Sequence, residues 1–201
     1  METLTLVTLI VIGAYLVNSQ QQRRRIALLG SHLGHYQIEK LMENLTEGYL
    51  RCLGEDDPER RAQIWGLLDS TEAKLSAQFD SFAAEFAQVG ENEARVSKLP
   101  LALPFVAQLL PAATFDLRQA FAIHARGIAG VMRNEAQRSP KAKAYMMSAE
   151  LFLMQHSCHW YCKSKAVASA RLMARHKTSH AQVLDAVSPE TRKAYAALTG
   201  Q

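Results

Sequence analysis

Residues 57–90 read DPERRAQIWGLLDSTEAKLSAQFDSFAAEFAQVG, and this stretch decides the fold class. Its large apolar residues recur in a near-heptad rhythm, which predicts an amphipathic helix of about 30 residues. Asp57 is a good N-cap, Pro58 suits the first helical position, and Gly90 is the expected end. A stripe of this kind has to be buried, so we interpret it as core, with a surface for a partner chain as the alternative. The stripe consists of Trp65, Leu68, Leu75, Phe79, Phe82, Phe86 and Val89, interrupted by Glu72.

The same helical pattern extends over most of the chain. Only ten glycines and six prolines punctuate the 201 residues, and β-branched runs are scarce beyond residue 17. The sequence therefore predicts an all-α fold, with a single N-terminal transmembrane helix followed by a bundle of about five or six helices. Beyond residue 90, the expected helices run from Thr114 to about Arg138, from Pro140 to about His176, from Ser179 to Val187, and onward from Pro189.

The first 25 residues predict where the protein resides. Residues 3–17 are uncharged and apolar apart from threonines and Gly13, and the uncharged residues 18–22 lengthen this run toward the roughly 30 Å of a hydrocarbon core. A cleaved signal peptide and a buried core helix are the alternatives. A signal peptide carries positive charge before its apolar run, whereas Arg23, Arg24 and Arg25 follow it here. A permanent anchor with the N-terminus outside and the arginines in the cytoplasm fits best.

These patterns divide the chain into an anchor (residues 1–25), an amphipathic juxtamembrane helix (residues 26–56) and a helical bundle domain (residues 57–201). The juxtamembrane helix is expected to run straight on from the anchor. Three cysteines suit a reducing compartment better than a disulfide framework. We expect a single-pass protein of a bacterial inner membrane, with its domain in the cytoplasm and the lipid bilayer as its first partner.

Residues 98–115, KLPLALPFVAQLLPAATF, are apolar but too often broken by proline for a long helix. One interpretation is a buried connector with one short helix between Pro104 and Pro111. The other is a segment that touches the membrane surface or a partner. We favour the connector, because an exposed apolar patch is a liability.

Charge is distributed unevenly along the chain. Residues 39–95 hold 13 acidic and 6 basic residues, a net of −7, whereas residues 96–201 hold 14 basic and 5 acidic residues, a net of +9. The two parts could attract each other within one domain. Alternatively, a basic surface meets anionic lipid or an acidic protein partner. Nucleic acid is unlikely, since no nucleic-acid-binding motif accompanies the basic half.

Residues 154–162, MQHSCHWYC, hold two of the three cysteines and two of the seven histidines. On a helix Cys158, His159 and Cys162 share a face, with His156 beside it, and tetrahedral Zn²⁺ accepts such ligands. The fourth ligand would come from elsewhere in the chain, and a single axial histidine to haem is a further alternative. The spacing lacks the knuckle of structural zinc sites, so packing with hydrogen bonds is the favoured interpretation. The candidates for the fourth ligand are His124, Cys52, His32 and His35.

No catalytic constellation is found: the sequence has no nucleophile elbow, no phosphate-binding glycine loop and no paired metal motif. The sequence therefore favours a non-catalytic interaction, scaffold or accessory protein without a cofactor, which binds another protein or self-associates. The alternative is a membrane-tethered sensor or enzyme that binds zinc or haem through residues 156–162.

Overall fold

The computed structural model describes residues 2–102 and 104–200, and the fold is all-α as predicted. After the N-terminal helix α1, six helices of eleven or more residues form the bundle, joined by shorter ones. The helices are α1 (Glu2–Leu33), α2 (Ile38–Leu53), α3 (Pro58–Phe86), α4 (Glu91–Ala94), α5 (Val106–Leu109), α6 (Leu117–Arg133), α7 (Pro140–Cys162), α8 (Lys165–His176), α9 (His180–Ala186) and α10 (Pro189–Thr199). Two short strands, β1 (Arg95–Ser97) and β2 (Thr114–Asp116), pair antiparallel.

Helix α3 lies at the centre of the bundle, between α2 and α6, and α6 in turn packs on α7. Six of the seven predicted stripe residues are buried, and Trp65 is half-buried against the same core. Phe82 and Phe86 each meet Phe121 of α6 edge-on with ring centroids 5.0 Å apart. The stripe therefore faces this chain's own core.

The interruption of the stripe by Glu72 has a physical explanation. Its carboxylate is 2% exposed, accepts a hydrogen bond of 2.6 Å from Tyr49 and lies 2.6 Å from the Lys143 ammonium. The same lysine contacts Asp69 at 2.8 Å. A buried charge needs such partners, so Glu72 joins α3 to α2 and α7 inside the apolar core.

Helix α1 ends earlier than the sequence predicts, and a turn at residues 34–37 separates it from α2. The expectation of one helix running straight from the anchor through residues 26–56 is wrong. The turn lets α2 fold back along α3, and it buries Ile38 and Leu41 in that contact. Tyr36, within the turn, donates a 2.8 Å hydrogen bond to Glu85 of α3.

Three other helix boundaries also differ from the sequence-based expectation. Helix α3 ends at Phe86, before Gly90. The predicted helix from Pro140 to His176 is two helices, because Ser164 caps α8 by accepting a hydrogen bond from the Val167 amide. Thr114 belongs to β2, and the N-cap of α6 is Asp116, which accepts from the Arg118 amide at 2.9 Å.

The strand pair closes the apolar segment into a loop. Ser97 pairs with Thr114, and the Lys98 amide donates to the Ala113 carbonyl at 2.8 Å. The predicted short helix is present as α5, and Val106 is buried. Leu99 is half-buried, and Leu103 lies outside the described residues. The rest of the expectation of a buried connector is wrong, because four other large side chains of the loop are exposed. These side chains are Leu101 (66%), Phe105 (48%), Leu109 (74%) and Leu110 (53%).

Candidate functional site

Two halves of α1 have different surroundings. Residues 2–16 are all exposed, although this half is the apolar one. The second half packs on α3 and α7, and Leu29 is buried there. The helix is long and apolar enough to cross a membrane. The junction of its polar half with the bundle is the candidate functional site.

Arg25 fastens α1 to the bundle. Its guanidinium donates to the Arg95 carbonyl at 2.9 Å and to the Tyr161 carbonyl at 3.3 Å. It also lies over the Tyr161 ring, 5.2 Å from the centroid. A planar fork of donors above an aromatic face is an arrangement that arginine provides and lysine does not. Arg25 thus differs from Arg23 and Arg24, which are exposed.

Two further contacts hold the junction. The Lys163 ammonium donates to Gln22 at 3.0 Å, so the end of α7 reaches the start of the polar half of α1. At the other end of the polar half of α1, the Glu85 carboxylate lies 2.6 Å from Nδ1 of His32 and 3.3 Å from Nδ1 of His35. It also accepts a hydrogen bond from Tyr36. Hydrogen bonds from His32 and Tyr36 lower the pKa of the Glu85 carboxyl. The predicted pair His32 and His35 is thus brought together, on a carboxylate of α3.

A cleft of about 300 Å³ opens at the junction. One wall is the segment of α1 that follows its apolar run, from Asn18 to Leu28. The opposite wall is the apolar loop, from Leu99 to Gln108, and Trp160 and Tyr161 are among the residues that close the cleft. The loop therefore lies beside the part of α1 where apolar sequence gives way to polar sequence.

The cysteines of the residue 154–162 cluster are protonated thiols in their surroundings. Burial raises the pKa of Cys158 and of Cys162, which disfavours the thiolate form that binds metal. The Cys158 thiol contacts the Met154 sulfur at 3.9 Å, and all three cysteines of the chain are free. Cys52 donates to the Arg61 carbonyl at 3.6 Å on another part of the bundle.

The histidines of the cluster turn to different partners. His156 lies 3.1 Å from the Ser169 hydroxyl and stacks on His180, with ring centroids 4.1 Å apart. His159 lies 3.2 Å from the Arg171 guanidinium, on the rim of a cavity of about 460 Å³ between α7 and α8. Burial first, and then the neighbouring His180, lowers the pKa of His156 to about 2.

His124, a candidate for the fourth zinc ligand, is fully buried. Its Nε2 lies 2.9 Å from the Ser157 hydroxyl, which is 3.0 Å from the Tyr195 hydroxyl. Burial lowers the pKa of His124 to about 3, so the ring is neutral. This chain of polar groups crosses from α6 through α7 to α10.

The candidate zinc ligands therefore do not converge. In residues 2–102 and 104–200, no group of three or more histidine, cysteine, aspartate or glutamate side chains is placed to hold a metal ion. Each suggested fourth ligand has its own neighbours: His124 faces Ser157, Cys52 faces Arg61, and His32 and His35 face Glu85.

Sequence reasoning missed several residues of the junction, namely Gln22, Glu85, Tyr161 and Lys163. One signal was present: Gln22 and Arg25 are three residues apart, on one side of a helix, whereas Arg23 and Arg24 point elsewhere. The other two contacts join positions more than 50 residues apart in sequence, and no local pattern encodes them.

Helix α8 carries an exposed basic surface. The helix has no acidic residue, and Arg171 and Arg175 are exposed on one face together with Val167. In the described part of the chain, the ion pair that joins the acidic residues 39–95 to the basic residues 96–201 is formed by Lys143 with Asp69 and Glu72. Among the described residues, the attraction between the acidic residues 39–95 and the basic residues 96–201 therefore does not involve an ion pair from α8.

Comparison of the chain with protein-family models, with curated proteins and with solved structures gave no match.

Proposed function

We propose that the chain is a single-pass membrane protein whose cytoplasmic helical domain is a non-catalytic scaffold or accessory subunit for an acidic protein partner. The observation that carries this proposal is the division of α1, whose apolar half lies outside the folded domain while its polar half is built into it. An exposed apolar helix of this length needs a lipid environment.

The arginines at residues 23–25 support an orientation with the N-terminus outside and the domain in the cytoplasm. Positive residues close to the end of a span favour the cytoplasmic side, whereas Glu2 is the charged residue on the other side of the apolar run. The free thiols of the domain suit a reducing compartment.

The basic face of α8 supports an acidic partner. Val167, which is 38% exposed, adds an apolar side chain to this face one turn before Arg171. Arginine next to an apolar contact is typical of protein interfaces, and unpaired positive charge steers an acidic surface toward it.

Membrane anchoring and its sidedness are tested together. Leu9→Arg places a charge in the middle of the apolar run, and we expect it to move the protein from the membrane pellet to the soluble fraction after alkaline extraction. Leu67→Arg, at a position 70% exposed on α3, is the matched control and stays in the pellet.

With a membrane-impermeant maleimide, Thr3→Cys is expected to react on intact cells and Ser70→Cys only after lysis. The reverse labelling would contradict the orientation.

Partner binding is tested by a photo-crosslinking amino acid at Val167. A discrete adduct is expected in cells, and the double variant Arg171→Glu/Arg175→Glu is expected to remove it. Arg60→Glu/Lys74→Glu reverses two charges on α3 and is expected to leave the adduct unchanged. No adduct, or an adduct insensitive to the α8 charges, would argue against the basic face as the binding surface.

A further inference from the structure

The apolar loop between β1 and β2 leaves four large side chains in contact with solvent. Leu101, Phe105, Leu109 and Leu110 are between 48% and 74% exposed within ten residues. A cluster of this kind on a folded domain marks a contact surface. The backbone of Phe105 has φ of 62°, a left-handed conformation that is uncommon for a bulky residue.

The position of the loop indicates what it contacts. The cleft described above has α1 from Asn18 on one side and the loop on the other, and Asn18 directly follows the apolar residues 3–17. If residues 3–17 lie in hydrocarbon, residues 18–25 lie at the headgroups, and the loop lies at the same level.

The loop and α1 are held in one frame. Arg25 bonds the carbonyls of Arg95 in β1 and Tyr161 in α7, and Lys163 bonds Gln22. The loop itself is bonded to the start of α8, since the Ala166 amide donates to the Pro100 carbonyl at 3.1 Å. The orientation of α1 in a bilayer therefore sets the height and direction of the loop.

The charges around the loop suit a lipid surface. Arg23 and Arg24 are exposed on α1, and Lys98 is partly exposed where the loop leaves β1. Apolar side chains flanked by arginine and lysine are typical of segments that enter the headgroup region of anionic membranes.

We propose that this loop is a second membrane contact, in which Leu101, Phe105, Leu109 and Leu110 insert into the cytoplasmic leaflet beside α1 and fix the domain against the bilayer. The proposal rests on the membrane anchoring proposed above. It gives the domain two attachments to the same surface, one that spans and one that lies in the interface.

The experiment uses the full chain in vesicles of mixed zwitterionic and anionic lipid with brominated acyl chains, which quench tryptophan fluorescence according to depth. Leu109→Trp tests the loop, and Leu67→Trp is its control, since the two leucines are 74% and 70% exposed. Leu9→Trp reports on the anchor. The wild-type emission of Trp65 and Trp160 is the baseline for all three variants.

We expect bromines near the glycerol backbone to quench the added emission of Leu109→Trp, bromines deep in the chains to quench that of Leu9→Trp, and neither to quench that of Leu67→Trp. Quenching of Leu9→Trp without quenching of Leu109→Trp would overturn the loop contact and leave the anchor intact. Absence of quenching at Leu9→Trp would overturn both. Emission of Leu109→Trp that shifts to the blue with protein concentration, without quenching, would assign the loop to self-association instead.

Discussion

At the scale of single residues, Gly127 shows how closely three helices meet. A Cβ atom at this position would overlap the Thr191 hydroxyl of α10 and lie 2.5 Å from the Glu150 carboxylate of α7. Glu150 is itself fully buried and accepts hydrogen bonds from the Ser188 amide (3.0 Å) and hydroxyl (2.8 Å). Glycine is therefore required here for close packing on a carboxylate that holds Ser188, the N-cap of α10.

We expect Gly127→Ala to destabilise the protein by about 2 kcal/mol, because neither Thr191 nor Glu150 can move without losing a hydrogen bond. Gly130→Ala is the matched control on the same helix, where a Cβ meets nothing within 4 Å. It should stabilise by up to about 1 kcal/mol through helix propensity. Denaturant unfolding in mild detergent measures both, and equal effects of the two substitutions would contradict the packing argument.

A second residue-scale prediction concerns Glu72, whose buried carboxylate is paired with the Lys143 ammonium. Lys143→Met leaves a buried carboxylate with only Tyr49 as its partner, and we expect a loss of about 3 kcal/mol. The double variant Lys143→Met/Glu72→Gln removes both charges and should recover part of that loss. Lys141→Met, exposed two residues earlier, serves as the control. A double variant less stable than Lys143→Met alone would show that the ion pair is not the source of the effect.

At the scale of elements, the junction of α1 with the bundle depends on Arg25 far more than on its neighbours. Arg25→Ala removes two hydrogen bonds and the contact with the Tyr161 ring, and we expect about 2 kcal/mol of destabilisation and faster amide exchange in residues 20–33. Arg24→Ala removes the same charge from an exposed position, so it controls for any effect of the charge on membrane orientation. Equal exchange in the two variants would mean that Arg25 does not fasten the helix.

Helices with strong local signals were predictable from the sequence. The cap-then-proline starts at Asp57-Pro58, Ser139-Pro140 and Ser188-Pro189 are all present, because each depends on neighbouring residues alone. The apolar stripe of α3 likewise follows from periodicity. The cap at Ser164 was not predicted, although its hydrogen bond from the Val167 amide is local. The turn at residues 34–37 and the strand pair were not predicted either, since both are stabilised by contacts with distant parts of the chain.

The junction was even less predictable, for the same reason. The sequence marks residues 23–25 as basic, and helical spacing places Arg25 on the side of Gln22, but no local pattern shows what that side contacts. The contact is with Tyr161, 136 positions away. The histidine–cysteine cluster shows the opposite case. Its local spacing suggests a metal site, but in the folded chain each of these side chains contacts a different partner.

At the scale of the whole molecule, the two buried histidines His124 and His156 and the partly buried His180 make stability dependent on pH. Burial lowers the pKa of His124 to about 3, of His156 to about 2 and of His180 to about 4. An unfolded histidine titrates near 6.5, so unfolding takes up protons below that pH. The stability they contribute is complete above pH 6.5 and falls as the pH approaches 4.

As the pH is lowered from about 6 to about 4.5, we expect each of these histidines to reduce the free energy of unfolding by about 1.4 kcal/mol per pH unit. Glu150 acts in the opposite sense, because burial raises its pKa. His124→Gln removes one of these titrating rings, so the free energy of unfolding should change less steeply with pH, by the contribution of one proton. This holds whatever the effect of the substitution on stability at pH 7. Denaturant midpoints at several pH values measure this slope, and an unchanged slope would show that His124 does not stay neutral in the folded protein.

Because α1 is one helix from its exposed apolar half to its buried end, it is a stiff arm of about 48 Å rather than a flexible linker. If α1 spans a bilayer as proposed above, a domain on such an arm would not tumble independently of the helix, and the face of α8 would keep one bearing relative to the membrane plane. A partner confined to the same membrane would meet that face with much of the orientational entropy of association already lost. Tilting of α1 in a thinner bilayer would turn the whole domain by the same angle. The orientation of the domain would then depend on the thickness of the bilayer.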